Sequence, residues 1–312
     1  MPTTLGIVVP CYNEQEVLPE TGKRLLELLS RLEKSGLVTR DSAIYFVDDG
    51  SQDGTWQLIE LLAQQDCRVH GVKLSKNRGH QNALLAGLSV AKEAAVVTVD
   101  ADLQDDINVI EQMVQRFSEG CEIVYGVRQS RGADSAFKRN SAQAYYKLLA
   151  SVGVDIVFNH ADYRLMSQRA VTHLQEYSEV NLFLRGIIPL LGFSTATVFY
   201  DRSARFAGES KYPLGRMLAL AFDGITSFSV TPLRFIAALG LAVFLMSFGM
   251  VAWVLYGRLV LNTAIPGWAS SVIPIYFLGG IQILSIGVVG EYVAKIYMET
   301  KRRPRFSIEL IV

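Results

Sequence analysis

Two aspartates separated by one residue form the most informative polar group in this chain. Asp100 and Asp102 directly follow a short apolar, β-branched run, and Gln104 comes two positions later. In extended backbone the side chains of residues i and i+2 project to the same side, so both carboxylates can bind one ion. A ligand set made only of oxygen atoms suits Mg²⁺ or Mn²⁺, usually completed by water and phosphate oxygens. The alternative is that these acids only cap the helix that follows.

Three other polar segments follow apolar runs nearer the N-terminus. They are residues 10–14 (PCYNE), residues 48–55 (DDGSQDGT) and residues 77–80 (NRGH). Asp49, an acid at a strand end beside a glycine turn, is well placed to accept hydrogen bonds from a base or a ribose. Asp53 or Ser51 is predicted to cap the next helix. We assign no role as a ligand to His80.

The elements that must position these residues alternate along the first 125 residues. The predicted strands are Leu5–Pro10, Ala43–Val47, Val69–Leu74, Ala94–Val99 and Ile123–Gly126, and the predicted helices are Glu16–Lys34, Thr55–Gln64, His80–Ala91 and Val109–Ser118. Strand–helix alternation of this length predicts an α/β fold with a Rossmann-like, mostly parallel sheet covered on both faces. Ligands of such sheets bind outside the carboxyl ends of the strands, where the polar segments lie.

The composition excludes several classes of protein. Lys and Arg together number 30 and so do Asp and Glu, so zero net charge provides no general attraction to nucleic acid. Half of the residues are hydrophobic, which excludes a disordered chain. The three cysteines (Cys11, Cys67 and Cys121) indicate buried thiols in a reducing compartment rather than disulfides. The predicted sheet contains neither G-x-G-x-x-G nor a P-loop, which disfavours dinucleotide redox chemistry and P-loop phosphoryl transfer.

The last third of the chain contains two long uncharged stretches. The first, from Phe235 to Gly257, is 23 residues long, and the second covers about Ser271 to Ala294. A helix of the first length measures about 34 Å, enough to cross a hydrocarbon core of about 30 Å. We therefore predict two transmembrane helices with a short external hairpin, although a pair of buried core helices would give a similar pattern. The basic residues 301–305 and Arg234 predict that the catalytic domain and both termini are cytoplasmic, by the positive-inside rule.

Four regions follow from these patterns. They are a catalytic domain over residues 1–212, a juxtamembrane amphipathic region over 213–231, the two membrane helices over 232–297 and a basic cytoplasmic tail over 298–312. The juxtamembrane pattern is equally typical of a helix lying on the membrane surface and of a helix in the domain core.

The polar segments carry a resemblance to a known family. Residues 10–14, 47–55 and 99–105 resemble the signature set of family 2 glycosyltransferases with the GT-A fold. Later segments resemble its polyprenyl-phosphate hexosyltransferase branch, which includes dolichyl-phosphate mannose synthases and, closer here, bacterial bactoprenol glucosyltransferases. These later segments are residues 162–166 (DYRLM), 183–186 (FLRG), 208–212 (GESKY), 224–227 (GITS) and 290–292 (GEY).

The resemblance implies an activity. It is the metal-dependent, inverting transfer of a hexose from a nucleotide sugar, UDP-glucose, to undecaprenyl phosphate at the bacterial inner membrane, which makes a lipid-linked donor for cell-envelope glycans. The Gln-x-x-Arg-Trp pattern of processive synthases is absent, so one sugar per lipid is expected. The alternatives are another donor (a 4-amino-arabinose derivative, N-acetylglucosamine or mannose), a protein or polysaccharide acceptor, or a catalytically silent membrane scaffold. Relatives of this type also suggest a homo-oligomer, a tetramer.

The resemblance also implies roles for single residues. The nucleotide-binding set is Pro10, Tyr12, Glu14, Asp49, Asp100 and Ala101. The metal set is Asp100, Asp102 and Gln104. The acceptor-phosphate set is Arg128, Arg139, Arg205 and Lys211, and the catalytic set is Asp102, Asp162, Arg128, Arg139 and Arg205. One departure from the family is Asp105-Asp106, where relatives commonly have Asp-Pro.

Asp162 occupies the position of an acid that the mannose synthases lack. It could serve as a general base, or it could orient Arg164 or the sugar. A phosphate monoester is largely dianionic at neutral pH, so it needs little help from a base. We therefore favour an orienting role for Asp162.

Overall fold

The computed structural model describes residues 2–128, 160–177, 179, 184–201, 231–259 and 267–312. These residues belong to two units. One contains the β-sheet together with residues 302–312, and the other contains two long helices.

The strands and helices of the described residues include all nine elements predicted from the sequence. The strands are β1 (Leu5–Cys11), β2 (Ala43–Asp48), β3 (Val69–Leu74), β4 (Ala95–Thr98), β5 (Ile123–Arg128), β6 (His160–Ser167), β7 (Thr195–Tyr200) and β8 (Ile308–Ile311). The helices are α1 (Leu18–Lys34), α2 (Thr55–Gln65), α3 (His80–Val90), α4 (Val109–Ser118), α5 (Gln168–Glu176), α6 (Leu184–Leu190), α7 (Thr231–Leu259) and α8 (Trp268–Thr300). The nine predictions are confirmed with ends that differ by at most two residues.

The sheet is mixed rather than uniformly parallel. Its strand order is β7-β5-β6-β4-β1-β2-β3-β8. Strands β1 to β4 run parallel to one another, as predicted. Strand β6 lies between β4 and β5 and is antiparallel to both. The start of β6 therefore lies at the same edge of the sheet as the end of β4, where the acid pair is found.

The central strands are buried on both faces. Every residue of β1 and of β2 is buried, and α1 covers one face with a row of leucines at helical spacing. That row consists of Leu18, Leu25, Leu28, Leu29 and Leu32. A strand that is covered on both sides needs a continuous apolar sequence, which explains why β1 and β2 lack polar alternation. The resulting core leaves only the strand ends available for polar side chains.

The C-terminal residues, predicted as a basic tail, take part in the sheet. Strand β8 pairs antiparallel with β3, and Lys73 forms an ion pair with Glu309 at 3.2 Å. Arg305 donates a hydrogen bond to the backbone carbonyl of Tyr177. β8 covers an edge of β3 that would otherwise expose unpaired backbone groups, and this favours its attachment.

The described residues of the second unit form two long helices. α7 has 29 residues and α8 has 33. In the part of the chain that the structure describes, one segment, Phe277–Thr300, is long and apolar enough to cross a membrane, with mean hydropathy 1.5. Leu233–Val243 is a shorter apolar segment. The pair of membrane helices stays a prediction, and the juxtamembrane region lies outside the described residues except for Thr231.

Candidate active site

The loops that follow β1 and β2 are hydrogen-bonded to each other. The amide of Asn13 donates to Ser51 Oγ at 3.0 Å, and the amide of Gln52 donates to Asn13 Oδ1 at 2.8 Å. The amide of Glu14 donates to Thr55 Oγ1 at 2.9 Å. Asn13 accordingly has a φ of 55°, in the left-handed region that asparagine tolerates best among residues with a side chain. The two loops therefore form one surface at the carboxyl end of the sheet.

The predicted nucleoside-binding residues differ in exposure on this surface. Pro10 is buried within β1. Tyr12 is 44% exposed, so its side chain is available to stack against a planar group.

The N-cap residue of α2 is Gly54, without a side-chain cap, so neither Asp53 nor Ser51 is the N-cap as predicted. Asp53, one residue earlier, accepts a hydrogen bond from the amide of Thr55 at 3.0 Å.

Asp49 holds the loop between β3 and α3. Its two carboxylate oxygens accept hydrogen bonds from the amides of Arg78, at 2.6 Å, and Gly79, at 2.9 Å. Burial raises the pKa of this carboxyl, while the two amides act in the opposite direction. Gly50 beside it has a φ of 70°, and a Cβ there would lie 2.6 Å from the amide nitrogen of Asn77. The turn after β2 therefore requires glycine, and it packs directly on the loop that Asp49 positions.

The acid pair lies on a turn that a hydrogen bond from helix α1 holds in place. Thr21 of α1 donates a hydrogen bond to the carbonyl of Ala101 at 2.7 Å. Leu103 has a φ of 55°, which reverses the chain so that the amide of Gln104 donates to Asp102 Oδ1 at 3.2 Å. Gln104 is 9% exposed. One compact turn after β4 thus contains the three residues of the predicted metal set, Asp100, Asp102 and Gln104.

Asp100 lies next to His80, the first residue of α3. His80 Nε2 is 3.4 Å from Asp100 Oδ1. Loss of hydration around the Asp100 carboxyl, together with the charges of Asp105 and Asp162, raises its pKa, although His80 acts in the opposite direction. The position of His80 follows from Asp49, which holds the preceding two residues. The β2 and β4 motifs are therefore connected through α3, a link that our sequence analysis missed.

The donor groups on this turn fit a divalent cation. Asp100 and Asp102 have carboxylates and Gln104 has an amide oxygen. Burial and the surrounding acids raise the pKa of Asp100, and a bound cation would favour its ionised form. Carboxylate and amide oxygens are the donor types that Mg²⁺ and Mn²⁺ prefer. Among the described residues, no three His, Cys, Asp or Glu side chains are grouped closely enough to hold a metal ion by themselves.

Asp162 is fixed by two arginines. Arg164 Nη2 donates to Asp162 Oδ1 at 2.5 Å, and Arg185 donates through Nε to Oδ1 at 3.2 Å and through Nη2 to Oδ2 at 3.0 Å. His80 Nε2 lies 3.8 Å from Oδ2. Burial of the carboxyl would raise its pKa, but Arg185 and Arg164 overcome this effect and hold it well below the ordinary value. Asp162 is therefore an ionised carboxylate whose oxygens are already engaged.

The antiparallel direction of β6 brings Asp162 to the acid pair. Arg164 pairs with Thr98 in the β4–β6 register, and Thr98 Oγ1 donates to the carbonyl of Asp162 at 2.6 Å. Asp162 precedes this pair by two residues along β6, so it lies just beyond the end of β4. The sequence motif identified Asp162. The rule that ligands bind after the ends of parallel strands could not have predicted its position, because Asp162 lies near the start of an antiparallel strand.

Arg128 is part of a second cluster at the end of β5. Its Nη2 donates to Asp105 Oδ1 at 3.2 Å and its Nε donates to the hydroxyl of Tyr200 at 3.3 Å. Tyr200 in turn donates to Asp105 Oδ1 at 2.7 Å, and Tyr163 donates to the carbonyl of Asp106 at 2.9 Å. Asp105 is 4% exposed. Residues of β5 and β7 therefore hold the carboxylate of Asp105. Asp106, which stands where relatives commonly have proline, is held only through its backbone carbonyl by β6, and its side chain is exposed.

Replacing Tyr200 by Phe is expected to lower the free energy of unfolding by about 1–2 kcal/mol, because Asp105 and Arg128 each lose a hydrogen bond in a buried setting. Asp105→Ala is expected to cost more, about 3–5 kcal/mol, because it leaves Arg128 without its buried counter-ion. Denaturant unfolding of the purified chain measures both. Phe199→Leu, on an exposed neighbour in β7, is the matched control. Equal stability of Tyr200→Phe and the wild type would contradict this account of the cluster.

The other predicted cations for an acceptor phosphate lie outside the described residues. These are Arg139, Arg205 and Lys211. Arg128 is thus the one residue of that predicted set whose surroundings the structure describes.

The described residues form a mixed α/β sheet of the GT-A-like kind, with an acid pair after β4. The family described as "Glycosyl transferase family 2" matches residues 6–174, more than half of the chain. The chain therefore belongs to glycosyltransferase family 2.

Similar proteins align over nearly the full length. The uncharacterized glycosyltransferase YkoT of Bacillus subtilis is 50% identical over 98% of this chain and 91% of its own. The bactoprenol glucosyl transferase of Shigella phage SfX is 38% identical over 98% of each chain. A glucosyl-3-phosphoglycerate synthase from Mycobacterium tuberculosis, crystallised with Mn²⁺, UDP and phosphoglyceric acid, is 18% identical with a TM-score of 0.45, over 72% of this chain and 76% of that one.

Proposed function

We propose that this protein transfers one glucose from UDP-glucose to undecaprenyl phosphate, with inversion at the anomeric carbon. The proposal is carried by one observation: the acid pair Asp100 and Asp102 lies at the end of β4 beside an ionised, clamped Asp162. It is supported by relatives named bactoprenol glucosyl transferase that align with 98% of this chain. The product would be a lipid-linked glucose for modification of cell-envelope glycans.

The donor side uses the turn after β4. Asp100, Asp102 and Gln104 would hold Mg²⁺ or Mn²⁺, which would neutralise negative charge on the departing nucleoside diphosphate. Thr21 keeps this turn in place through the carbonyl of Ala101. Tyr12, on the neighbouring loop, is exposed and would stack on the base. The chain's own contribution is to hold these metal-ligating oxygens in one geometry before the nucleotide sugar binds.

The acceptor side needs alignment more than proton removal. A phosphate monoester has a second pKa of about 6, so at neutral pH it is already a nucleophile. Asp162 is poorly suited to accept a proton, because both of its oxygens are engaged by arginines and its pKa is low. It therefore orients the reacting groups, while Arg128, with Arg139, Arg205 and Lys211, attracts the acceptor phosphate.

The membrane is the source of the acceptor. We propose that α7 and α8 both cross it, with the catalytic domain and both termini in the cytoplasm. The uncharged stretch in α7 and the apolar segment Phe277–Thr300 in α8 support this arrangement. An undecaprenyl chain resides in the bilayer, so an enzyme anchored there meets its acceptor at the surface where UDP-glucose is also present.

The experiment that tests the proposed function follows the sugar. The purified full chain in detergent is mixed with undecaprenyl phosphate and a panel of radiolabelled UDP- and GDP-sugars, and label is counted in the butanol-extractable lipid. We expect label from UDP-glucose, loss of that label with EDTA, and recovery with Mg²⁺ or Mn²⁺. Label from a different nucleotide sugar would show that UDP-glucose is not the donor, while the proposed transfer to undecaprenyl phosphate would stand. Failure of every donor, with nucleotide still bound, would favour a silent scaffold.

A further inference from the structure

Arg185 is one of the two arginines that hold Asp162, and the sequence analysis gave it no role of its own. It is the second residue of α6, the short helix that follows a gap in the described residues. Its guanidinium contacts both oxygens of Asp162, through Nε at 3.2 Å and through Nη2 at 3.0 Å. This two-point contact fixes the plane of the carboxylate, which a single hydrogen bond would leave free to rotate. Arg185 thus determines the direction in which Asp162 presents its oxygens.

The helix that delivers Arg185 is itself attached to the site. Leu184 is the first residue of α6, so its amide has no acceptor within the helix. It donates instead to Gln81 Oε1 of α3 at 3.2 Å. Gln81 is the neighbour of His80, which lies against Asp100 and Asp162. Three apolar side chains of α6 are buried and keep the helix in place: Leu184, Ile187 and Ile188. The direction of Arg185 is therefore set by packing and not by the ion pair alone.

The other arginine cannot replace this function. Arg164 is 1% exposed and reaches only Oδ1 of Asp162, through Nη2. Arg185 is the one of the two that engages Oδ2, the oxygen that faces His80 and, beyond it, Asp100. Without Arg185, the Asp162 carboxylate would keep a single strong contact and could turn about it.

We propose that Arg185 is a positioning residue for sugar transfer and acts through Asp162, by holding both carboxylate oxygens in one orientation beside Asp100. The inference rests on the proposed function, in which Asp162 orients the reacting groups. It adds α6 to the elements that position the reacting groups.

A double-mutant cycle tests this role. Arg185→Met, Asp162→Asn and the double variant are compared with the wild type by kcat and by KM for UDP-glucose and for undecaprenyl phosphate. We expect Arg185→Met to lower kcat by about 30-fold with both KM values changed less than about threefold, because loss of alignment affects the reacting geometry more than binding. In the Asp162→Asn background the same change should alter kcat by less than about twofold, because the two residues act as one unit.

Matched variants separate positioning from charge and from general damage. Arg185→Lys keeps the charge but not the two-point contact, so it should recover less than about a third of the lost activity. Arg169→Met removes an arginine that pairs with Glu122 elsewhere on the sheet domain, and it should leave kcat unchanged. If Arg185→Met does not fold, as judged by thermal unfolding, Arg185→Lys replaces it in the double-mutant cycle. The same non-additivity with Asp162→Asn is expected.

Three results would overturn the proposal. The first is a double variant whose fold-loss in kcat equals the product of the two single losses. The second is full activity of Arg185→Lys, and the third is an effect of Arg185→Met on KM alone. The same cycle is also run on the slow hydrolysis of UDP-glucose by water, which needs no lipid. If the wild type glucosylates no polyprenyl phosphate, the proposed function fails, and the hydrolysis cycle still decides whether Arg185 acts through Asp162.

Discussion

Asp102→Asn is expected to lower sugar transfer by more than about a thousandfold, because it removes a negative charge at the position where a cation must oppose the charge of the leaving diphosphate. Asparagine keeps the size of the side chain and an oxygen that can accept the hydrogen bond from the amide of Gln104. The turn should therefore keep its shape, and the unfolding temperature should stay close to that of the wild type. Transfer of radiolabelled glucose into extractable lipid measures the loss.

The matched control for this variant is Asp106→Asn. Asp106 is exposed, lies four residues further on, and accepts a hydrogen bond from the amide of Asn108 that asparagine can also accept. The Asp106→Asn variant removes one negative charge from the same segment but outside the acid pair. It should therefore retain at least about half of the activity. Retention of more than a tenth of the wild-type rate by Asp102→Asn would contradict the proposed role of the acid pair.

Asp162→Asn is expected to lower kcat by about a hundredfold, less than Asp102→Asn, because it disturbs alignment and leaves the leaving-group side intact. The variant keeps the shape of the side chain but leaves Arg164 and Arg185 without their shared counter-ion. Single-turnover transfer measured with saturating donor and acceptor gives the change in rate.

The pH dependence of that loss distinguishes orientation from base catalysis. The pKa of Asp162 in the folded protein is lowered, so the carboxylate is ionised above its ordinary pKa and its ion pairs are lost only as the pH falls through the lower, folded value. Between about pH 5.5 and 8.5 the ratio of wild-type to variant rates should therefore be constant. If Asp162→Asn abolished transfer at every pH while Asp102→Asn did not, the two assignments would be wrong.

The parallel half of the fold could be predicted because its signals are local. Buried strands such as β1 and β2 need continuous apolar runs, and helices such as α1 need apolar residues every three or four positions. The later strands were not predicted. β6 carries Tyr163, Arg164 and other polar residues among its apolar ones, and β8 has only four residues. β6 pairs with β4 and β5, and β8 pairs with β3, all distant in sequence, and no local pattern encodes such pairings.

Part of the candidate site was also predictable from local signals. Asp49 and Asp100 follow predicted strands, and in a parallel sheet the ends of neighbouring strands meet at one edge. The detailed role of Asp49 was not predictable, because its carboxylate is occupied by two amides of a loop that comes 29 and 30 residues later. His80 carried no signal, since a single histidine after a glycine turn is common and nothing in the sequence indicates two carboxylates in front of it.

The sequence by itself determined the family, the positions of strands β1 to β5 along the chain and the acids that follow β2 and β4, because these properties depend on residue types at short spacing. Only the tertiary structure decided which groups share the site. The reversal of β6 brings Asp162 next to Asp100, and packing of α6 brings Arg185 onto Asp162 from 23 residues away. The pKa of Asp162 follows from that assembly, because it depends on distances between charges that are separate along the chain and adjacent only after folding.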